Sequence, residues 1–271
     1  MQDLFQDIEK NVDFLLVFLA IITVMLAVAK FGEWWIERRH KNPEKTRQNI
    51  DGAPRDALHK TSIGQISRNA LRQNISVRKI TMIALFSAIA VILMLFGFPL
   101  PFVPFFYELE FSDLPILIGA FAYGPMAAVT MEFCKVILNL LINGTSTAFV
   151  GEFANFICGC AFVLPASLLY QWKRTKTGAI RSLILSTCFA SATASLLNAF
   201  YLIPAFSVLY GMPLDALIGI GTKLNPAIVN LQTFVLFAVL PHNLIKFTLV
   251  SLVTLLIYKP LRPLMSPKTS L

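Results

Sequence analysis

The sequence predicts an all-α protein that crosses a membrane several times. Of its 271 residues, 56% are hydrophobic and 14% are charged, and the mean hydropathy is +0.68. Soluble domains carry about 25% charged residues, so this composition cannot cover a water-facing surface. Apolar segments separated by polar, basic gaps are the second indication. One such segment stands apart near the N-terminus, and six more follow as a unit.

The charged and reactive residues exclude several function classes. The formal net charge is +8, but the basic residues collect in the gaps between apolar segments, as the positive-inside rule predicts, so a nucleic-acid partner is not expected. The four cysteines lie in apolar segments without a CxxC pair, and the three histidines are scattered, so no metal site is predicted. Without a Walker, HExxH or GxSxG motif, the chain predicts no enzyme, and any ATP hydrolysis would need a partner.

The first element is an added transmembrane helix. Residues 13–31 match the roughly 20 residues that span a bilayer, and Trp34 and Trp35 suit an interfacial aromatic belt. Basic residues follow directly, so the helix should run from outside to inside. We therefore expect an extra transmembrane helix over residues 1–36 and a basic cytoplasmic linker over 37–79 that contacts anionic lipid.

The remaining apolar segments form one predicted membrane domain over residues 80–262, followed by a short tail over 263–271. The second segment is too short for a full span and ends at the Gly124–Pro125 break; short helices are tolerated where protein surrounds them. The six segments cover residues 80–98, 114–124, 126–142, 150–171, 181–204 and 231–258.

Charge sets the direction of these segments. The acidic loop with Glu108, Glu110 and Asp113 falls outside, as does the long, nearly neutral connection over residues 205–230. Basic clusters before, within and after the domain fall inside. Both ends of the six-segment unit, including the C-terminus, are therefore predicted to be cytoplasmic.

Charged side chains at membrane depth are candidates for function, because each costs about 2.5–3.5 kcal/mol on insertion scales. Glu132 and Lys135 are three residues apart on one helix and can neutralise each other. Glu152 lies at the start of its helix, where the dipole favours a carboxylate. The fourth is Lys246.

Lys246 shares a helical face with Asn243, and together they offer donors and an acceptor to a planar, carbonyl-rich ligand. Asn198 lies at a similar depth on the preceding long segment and could form a third wall of a pocket. The structural alternative is that Glu152 or Glu132 neutralises Lys246 and that no ligand is involved.

Small residues suggest where helices approach closely. Ala84 and Ala88 form one such stripe on the first segment of the domain. This stripe could pack inside the bundle, or it could dock on another membrane subunit.

From about residue 80 to 262 the chain resembles the substrate-binding (S) components of energy-coupling factor (ECF) vitamin transporters, and among them the riboflavin-specific members. The motifs that carry the resemblance are EFSDLP (110–115), the Gly-Pro break (124–125), VGEFANF (150–156), LNAFYLIP (197–204) and PHNLIKF (241–247). The six-segment topology with both ends inside also matches.

The resemblance implies a six-helix bundle in the plasma membrane of a prokaryote. It implies capture of a vitamin from outside, without a cofactor, in partnership with a transmembrane coupling subunit and two ATPases. Residues 1–79 have no counterpart in the common form of the family.

The resemblance also implies roles for particular residues. Those that would contact the flavin are Asn198, Asn243, Lys246, Leu109, Ala148 and Asn155. Ala84 and Ala88 would dock on the coupling subunit. FMN or a different vitamin remains open as the ligand. A more distant alternative is a seven-helix retinal photoreceptor, with Lys246 forming the Schiff base.

Overall fold

The computed structural model describes residues 12–40, 77–104, 106–145 and 147–265. Within these ranges the chain is almost entirely helical, with one two-stranded hairpin in which β1 (Phe98–Pro99) pairs antiparallel with β2 (Glu108–Leu109). The first seven helices are α1 (Val12–His40), α2 (Val77–Met94), α3 (Asp113–Tyr123), α4 (Pro125–Asn143), α5 (Val150–Trp172), α6 (Lys176–Leu209) and α7 (Leu214–Leu224). The last, α8, begins with Leu231–Phe234, passes through a π-helical turn at Val235–Val239 and continues as Leu240–Met265.

The predicted fold class is confirmed: a six-helix bundle, preceded by one extra helix. The bundle comprises α2, α3, α4, α5, α6 and α8. The extra helix α1 and every helix of the bundle except α3 are long and apolar enough to cross a membrane. Of the linker predicted over 37–79, residues 37–40 belong to α1 and 77–79 to α2, and of the tail predicted over 263–271, residues 263–265 belong to α8. The rest of both segments, residues 41–76 and 266–271, lies outside the described residues.

The short helix α3 occupies the centre of the bundle. Its 11 residues rise about 16 Å, roughly half the hydrocarbon thickness of a bilayer. Ile116, Leu117, Ala120 and Phe121 are fully buried, and α3 packs against α4, α5 and α8. Because neighbouring helices surround it, α3 does not need the length of a lipid-facing span.

The predicted Gly-Pro break separates α3 from α4. Gly124 has a φ of +97°, which L side chains rarely adopt, and its N–H donates to the Ala120 carbonyl at 2.9 Å. Pro125 then occupies the first turn of α4, where its missing N–H costs no helical hydrogen bond. The chain can therefore reverse within one residue.

The extra helix α1 packs along α4 and α5. Near its start, Phe18 makes edge-to-face contacts with Phe153 and Phe156, at centroid distances of 5.5 and 5.6 Å. Near its end, Glu33 Oε1 accepts a hydrogen bond of 3.1 Å from the Met126 N–H, at the start of α4. At the same end, the rings of Trp35 and Trp172 lie 5.7 Å apart, so α1 runs parallel to α5.

The connection predicted over residues 205–230 is largely helical, where the sequence suggested a long loop. α6 continues to Leu209, and α7 begins at Leu214. Leu217 and Ile218 of α7 are buried, so apolar packing holds this segment against the bundle. This connection is therefore packed against the bundle as helix, whereas the sequence suggested a loop.

Candidate ligand-binding site

A polar cavity of about 330 Å³ lies between α4, α5, α6, α8 and the loop that joins α2 to α3. Small-molecule sites commonly have volumes of about 300–1,000 Å³ with a few well-placed polar groups. Five asparagines line this cavity: Asn139, Asn143, Asn155, Asn198 and Asn243. So many amide groups can hydrogen-bond a ligand that carries several carbonyl, imino or hydroxyl groups.

Asn198 lies where α6 changes its helical pitch. It is the first residue of a π-helical turn, Asn198–Leu202, a feature that often marks functional sites. Its Nδ2 donates to the Ala194 carbonyl at 2.8 Å. Its Oδ1 accepts from the hydroxyl of Tyr107, in the α2–α3 loop, at 2.5 Å. The loop is thus fastened to α6 at the residue predicted to contact the ligand.

Asn243 follows the second π-helical turn, Val235–Val239, in α8. Its Nδ2 donates to the Val239 carbonyl at 2.9 Å, and its Oδ1 has no partner among the described residues. The side chain is only 8% exposed, so the amide is oriented and presents an acceptor to the cavity.

Lys246 forms an ion pair with Glu110 of the α2–α3 loop, 2.6 Å from Nζ to Oε1. Asp113 lies farther away, at 3.8 Å. The other carboxylate oxygen of Glu110 accepts from the Ser112 N–H at 2.6 Å. Burial alone would raise the pKa of Glu110, but the ammonium groups of Lys246 and Lys135 together outweigh burial, so that pKa is lowered. The partner of Lys246 is therefore Glu110, so the prediction of Glu152 or Glu132 as that partner is wrong, although a carboxylate does neutralise the lysine.

A second buried cluster lies behind the cavity. Lys135 Nζ is 2.7 Å from Asp113 and 2.8 Å from Glu132, and none of the three side chains is more than 3% exposed. The predicted Glu132–Lys135 neutralisation is thus confirmed, with Asp113 as an additional partner. Space for the Glu132 carboxylate comes from Gly159 of α5, where a Cβ would lie 2.5 Å from Glu132 Oε2.

Asp113 joins the two clusters, because it contacts both Lys135 and Lys246. The resulting network places three carboxylates beside two ammonium groups, in a region with little solvent. The sequence identified the two lysines as costly charges, and the structure shows how their charge is compensated.

The other predicted site residues occupy different surroundings. Asn155 lines the cavity. Leu109 is buried on β2, and Ala148, with a φ of +46°, precedes α5; neither is among the cavity-lining residues. Glu152 accepts hydrogen bonds of 3.2 Å from the hydroxyls of two threonines in the α4–α5 connection. Ligand contact by Leu109 and Ala148 stays a prediction.

Tyr107 and Glu110 lie in the acidic loop that the sequence places outside, and no partner was predicted for either. The structure gives each a defined partner: Tyr107 bonds Asn198, and Glu110 pairs with Lys246. The sequence does indicate that Lys246 needs a distant partner, because it has no carboxylate one turn away on its own helix, but it does not indicate which carboxylate that is. A buried lysine without a local partner requires a distant one.

The two predicted small-residue positions on α2 face outward. Ala84 and Ala88 are exposed, whereas Ser87, Ala90 and Val91 on the other side of the helix are buried. The packing alternative for Ala84 and Ala88 is therefore not supported.

Comparison with known proteins identifies relatives over most of the chain. The family model for "ECF transporter, substrate-specific component" matches residues 78–258. The riboflavin transporter RibU of Staphylococcus aureus (strain TCH60) is 36% identical over 184 residues, covering 68% of this chain and 90% of that protein. The riboflavin transporter FmnP of Bacillus subtilis (strain 168) is 33% identical over 188 residues, covering 69% and 93%.

A solved structure gives the same result in three dimensions. It is described as "Structure and mechanism of the S component of a bacterial ECF transporter", and it matches with a TM-score of 0.55 and 32% identity. The match covers 70% of this chain and 99% of the other. The shared part is thus nearly the whole of that S component, and α1 lies before the stretch that the family model matches.

Proposed function

Because this chain belongs to the family of ECF transporter substrate-specific components, we propose that it captures riboflavin, or a related flavin such as FMN, for uptake across the plasma membrane of a bacterium. The relatives of known activity are riboflavin transporters rather than enzymes. The family relationship favours this function over another vitamin specificity, and it removes the reason to consider a retinal photoreceptor.

The observation that carries the proposal is the amide-lined cavity. The flavin ring system is planar, with carbonyl and imino groups along one edge. Asn198 and Asn243 face the cavity from two helices, each with its amide held by a backbone carbonyl of its own helix. Such pre-oriented amides suit recognition of a rigid ligand.

Transport requires partners that are also part of the proposal. We infer from the family relationship that a transmembrane coupling subunit and two ATPases act on this chain, which carries no nucleotide-binding motif of its own. The exposed Ala84–Ala88 stripe on α2 is suited to close approach of another helix. Charge distribution supports a cytoplasmic C-terminus.

The domain boundaries lead to a prediction about the extra helix. No residue of α1 is among those that line the cavity. Deleting residues 1–75 should therefore leave the affinity for riboflavin within a few-fold of that of the full chain. Equilibrium titration of both purified proteins with riboflavin, followed by flavin fluorescence, measures this. A folded, truncated protein that does not bind would show that α1 belongs to the site.

A second prediction tests the site itself. Asn243→Ala and Lys246→Ala should each weaken riboflavin binding by about one to two decades, because a lost hydrogen bond of this kind is worth roughly 1.5–3 kcal/mol. Part of the Lys246 effect will come from leaving Glu110 buried without its partner, so Asn243→Ala is the cleaner variant.

The control for these variants lies on the same helix. Ser251, about one and a half turns beyond Lys246, contacts Thr187 of α6 at 3.2 Å and is not among the cavity-lining residues. Ser251→Ala should keep the wild-type affinity. If Asn243→Ala and Lys246→Ala bound riboflavin as tightly as Ser251→Ala, the site assignment would be wrong.

A further inference from the structure

A second polar cavity lies at the end of the bundle opposite the amide-lined cavity. It has a volume of about 310 Å³ and lies between α1, α2, α3 and the end of α5. Gly151 lines the amide-lined cavity and Gln171 lines the second one, and these two residues are about 30 Å apart along α5. Glu33, Ile36 and Glu37 of α1 form one of its walls. Because α1 precedes the stretch that the family model matches, this cavity depends on a part of the chain outside that match.

Four charged side chains line the second cavity: Glu33, Glu37, Lys79 and Arg174. The two glutamates belong to α1, Lys79 to the first turn of α2, and Arg174 to the connection between α5 and α6. Although both signs of charge share one cavity, none of the four side chains forms an ion pair with a residue that the structure describes. The cavity therefore presents two carboxylates and two cations that do not neutralise each other by direct contact.

The surroundings of this cavity are those of a membrane interface. An adjoining cavity of about 400 Å³ shares Ile36, Gln171 and Arg174 with it and adds Trp172. The ring of Trp172 lies 5.7 Å from that of Trp35 on α1. Tryptophan is enriched at the level of the lipid headgroups, and the positive-inside rule places this basic end of the bundle in the cytoplasm. The second cavity therefore lies at the headgroup level of the inner leaflet.

We propose that these two adjoining cavities bind one phospholipid of the cytoplasmic leaflet whose headgroup carries both a primary ammonium and a phosphodiester, as in phosphatidylethanolamine. Glu33 and Glu37 accept hydrogen bonds from the ammonium, and Lys79 and Arg174 neutralise the phosphodiester. Charge-assisted hydrogen bonds of this kind are stronger than those between neutral groups. An anionic headgroup such as that of phosphatidylglycerol leaves the two carboxylates without a cation, and the quaternary ammonium of phosphatidylcholine has no N–H to donate to them.

The arrangement of the charges means that this lipid bridges α1 to the rest of the bundle. The carboxylates are on α1, whereas the cations are on α2 and on the α5–α6 connection. A headgroup that contacts both sets therefore links the extra helix to two elements of the family domain. The inference does not rest on the identity of the transported ligand, because the lipid site and the amide-lined cavity are at opposite ends of the bundle.

The tryptophans of the chain can report whether this site is occupied. The sequence contains three, Trp34, Trp35 and Trp172, and all of them lie at this end of the bundle. The purified full-length protein is reconstituted into phosphatidylcholine bilayers with a small, fixed fraction of one lipid whose brominated acyl chains quench tryptophan fluorescence on contact. Brominated phosphatidylethanolamine should quench more than brominated phosphatidylcholine or phosphatidylglycerol, with a local enrichment of about threefold, the size of effect that exposed ion pairs produce.

Two substitutions test the two halves of the site separately. Glu37→Gln should remove the preference for phosphatidylethanolamine and increase quenching by phosphatidylglycerol, because it removes a carboxylate that repels an anionic headgroup. Arg174→Gln should decrease quenching by both lipids. Glu37 and Arg174 are exposed, so neither substitution should impair folding. The matched control is Arg181→Gln, because Arg181 is an exposed arginine of α6 that lines neither cavity, and its removal should leave the quenching by all three lipids unchanged.

Four results would overturn the proposal, and none of them bears on flavin binding, which is measured separately. Equal quenching of the wild type by the three brominated lipids would exclude a selective site. Stronger quenching by phosphatidylglycerol would show a basic surface that attracts anionic lipid in general. A preference for phosphatidylethanolamine that survives both Glu37→Gln and Arg174→Gln would place the lipid elsewhere. Relief of the quenching by millimolar glycerophosphoethanolamine, the headgroup without acyl chains, would assign the site to a water-soluble compound.

Discussion

Replacing Lys135 with methionine should destabilise the folded protein by about 3–5 kcal/mol, the usual consequence of removing one member of a buried ion pair. The substitution keeps the length of the side chain but leaves Asp113 and Glu132 facing each other without the ammonium that lies 2.7 and 2.8 Å from them. Both carboxylates are shielded from water, so solvent cannot compensate. A low yield of folded protein and a lower Tm in detergent are the expected readouts.

Glu132→Gln is the matched variant. The network contains three carboxylates and two ammonium groups, so removing one carboxylate brings the formal charges into balance. We expect this variant to lose much less stability than Lys135→Met. If Lys135→Met unfolded at the same temperature as the wild type, the buried network would not be a source of stability.

The second large effect concerns transport. Ala84→Leu combined with Ala88→Leu should abolish riboflavin uptake in cells, while the purified variant binds riboflavin with near-normal affinity. Both alanines are exposed on α2, so added bulk does not overpack this bundle and instead blocks close approach of a partner helix. Uptake and binding should be measured on the same double variant.

Added bulk elsewhere on the lipid-facing surface provides the control. Ala20 and Ala27 are exposed on α1, and Ala20→Leu with Ala27→Leu should transport normally. Normal uptake by the α2 double variant would exclude the docking role. Joint loss of folding and binding would instead show that Ala84 and Ala88 pack inside the protein.

The sequence predicted the helices well because their signals are local. Apolar length identified each span, and the Gly124–Pro125 pair located the reversal between α3 and α4 to the residue. The connection after α6 was less predictable. Its residues form α7 because Leu217 and Ile218 pack against the bundle, and that packing depends on the tertiary structure rather than on the segment alone.

The same distinction between local and distant contacts applies to the site. Glu132 and Lys135 are three residues apart, so their pairing follows from helix geometry. Lys246 and Glu110 are separated by 136 residues, and nothing within either segment indicates which carboxylate reaches which lysine. The hydrogen bond between Tyr107 and Asn198, which are 91 residues apart in the sequence, could not be predicted for the same reason.

Part of the site was nevertheless accessible from residue types and spacing. Asn243 and Lys246 lie three residues apart and were expected on one helical face, and both line the cavity. Asn198 was placed at the same depth on the preceding long segment, and it also lines the cavity. The contributions of Asn139 and Asn143 were not predicted, because amides near the end of a helix more often face solvent.

Equilibrium titration of the purified wild-type protein with riboflavin decides whether this chain captures a flavin. Flavin fluorescence should be quenched saturably at a stoichiometry of one flavin per chain, and the protein should be yellow when it is purified in the presence of riboflavin. A well-folded preparation that leaves flavin fluorescence unchanged at every ratio, and that elutes colourless, would contradict it.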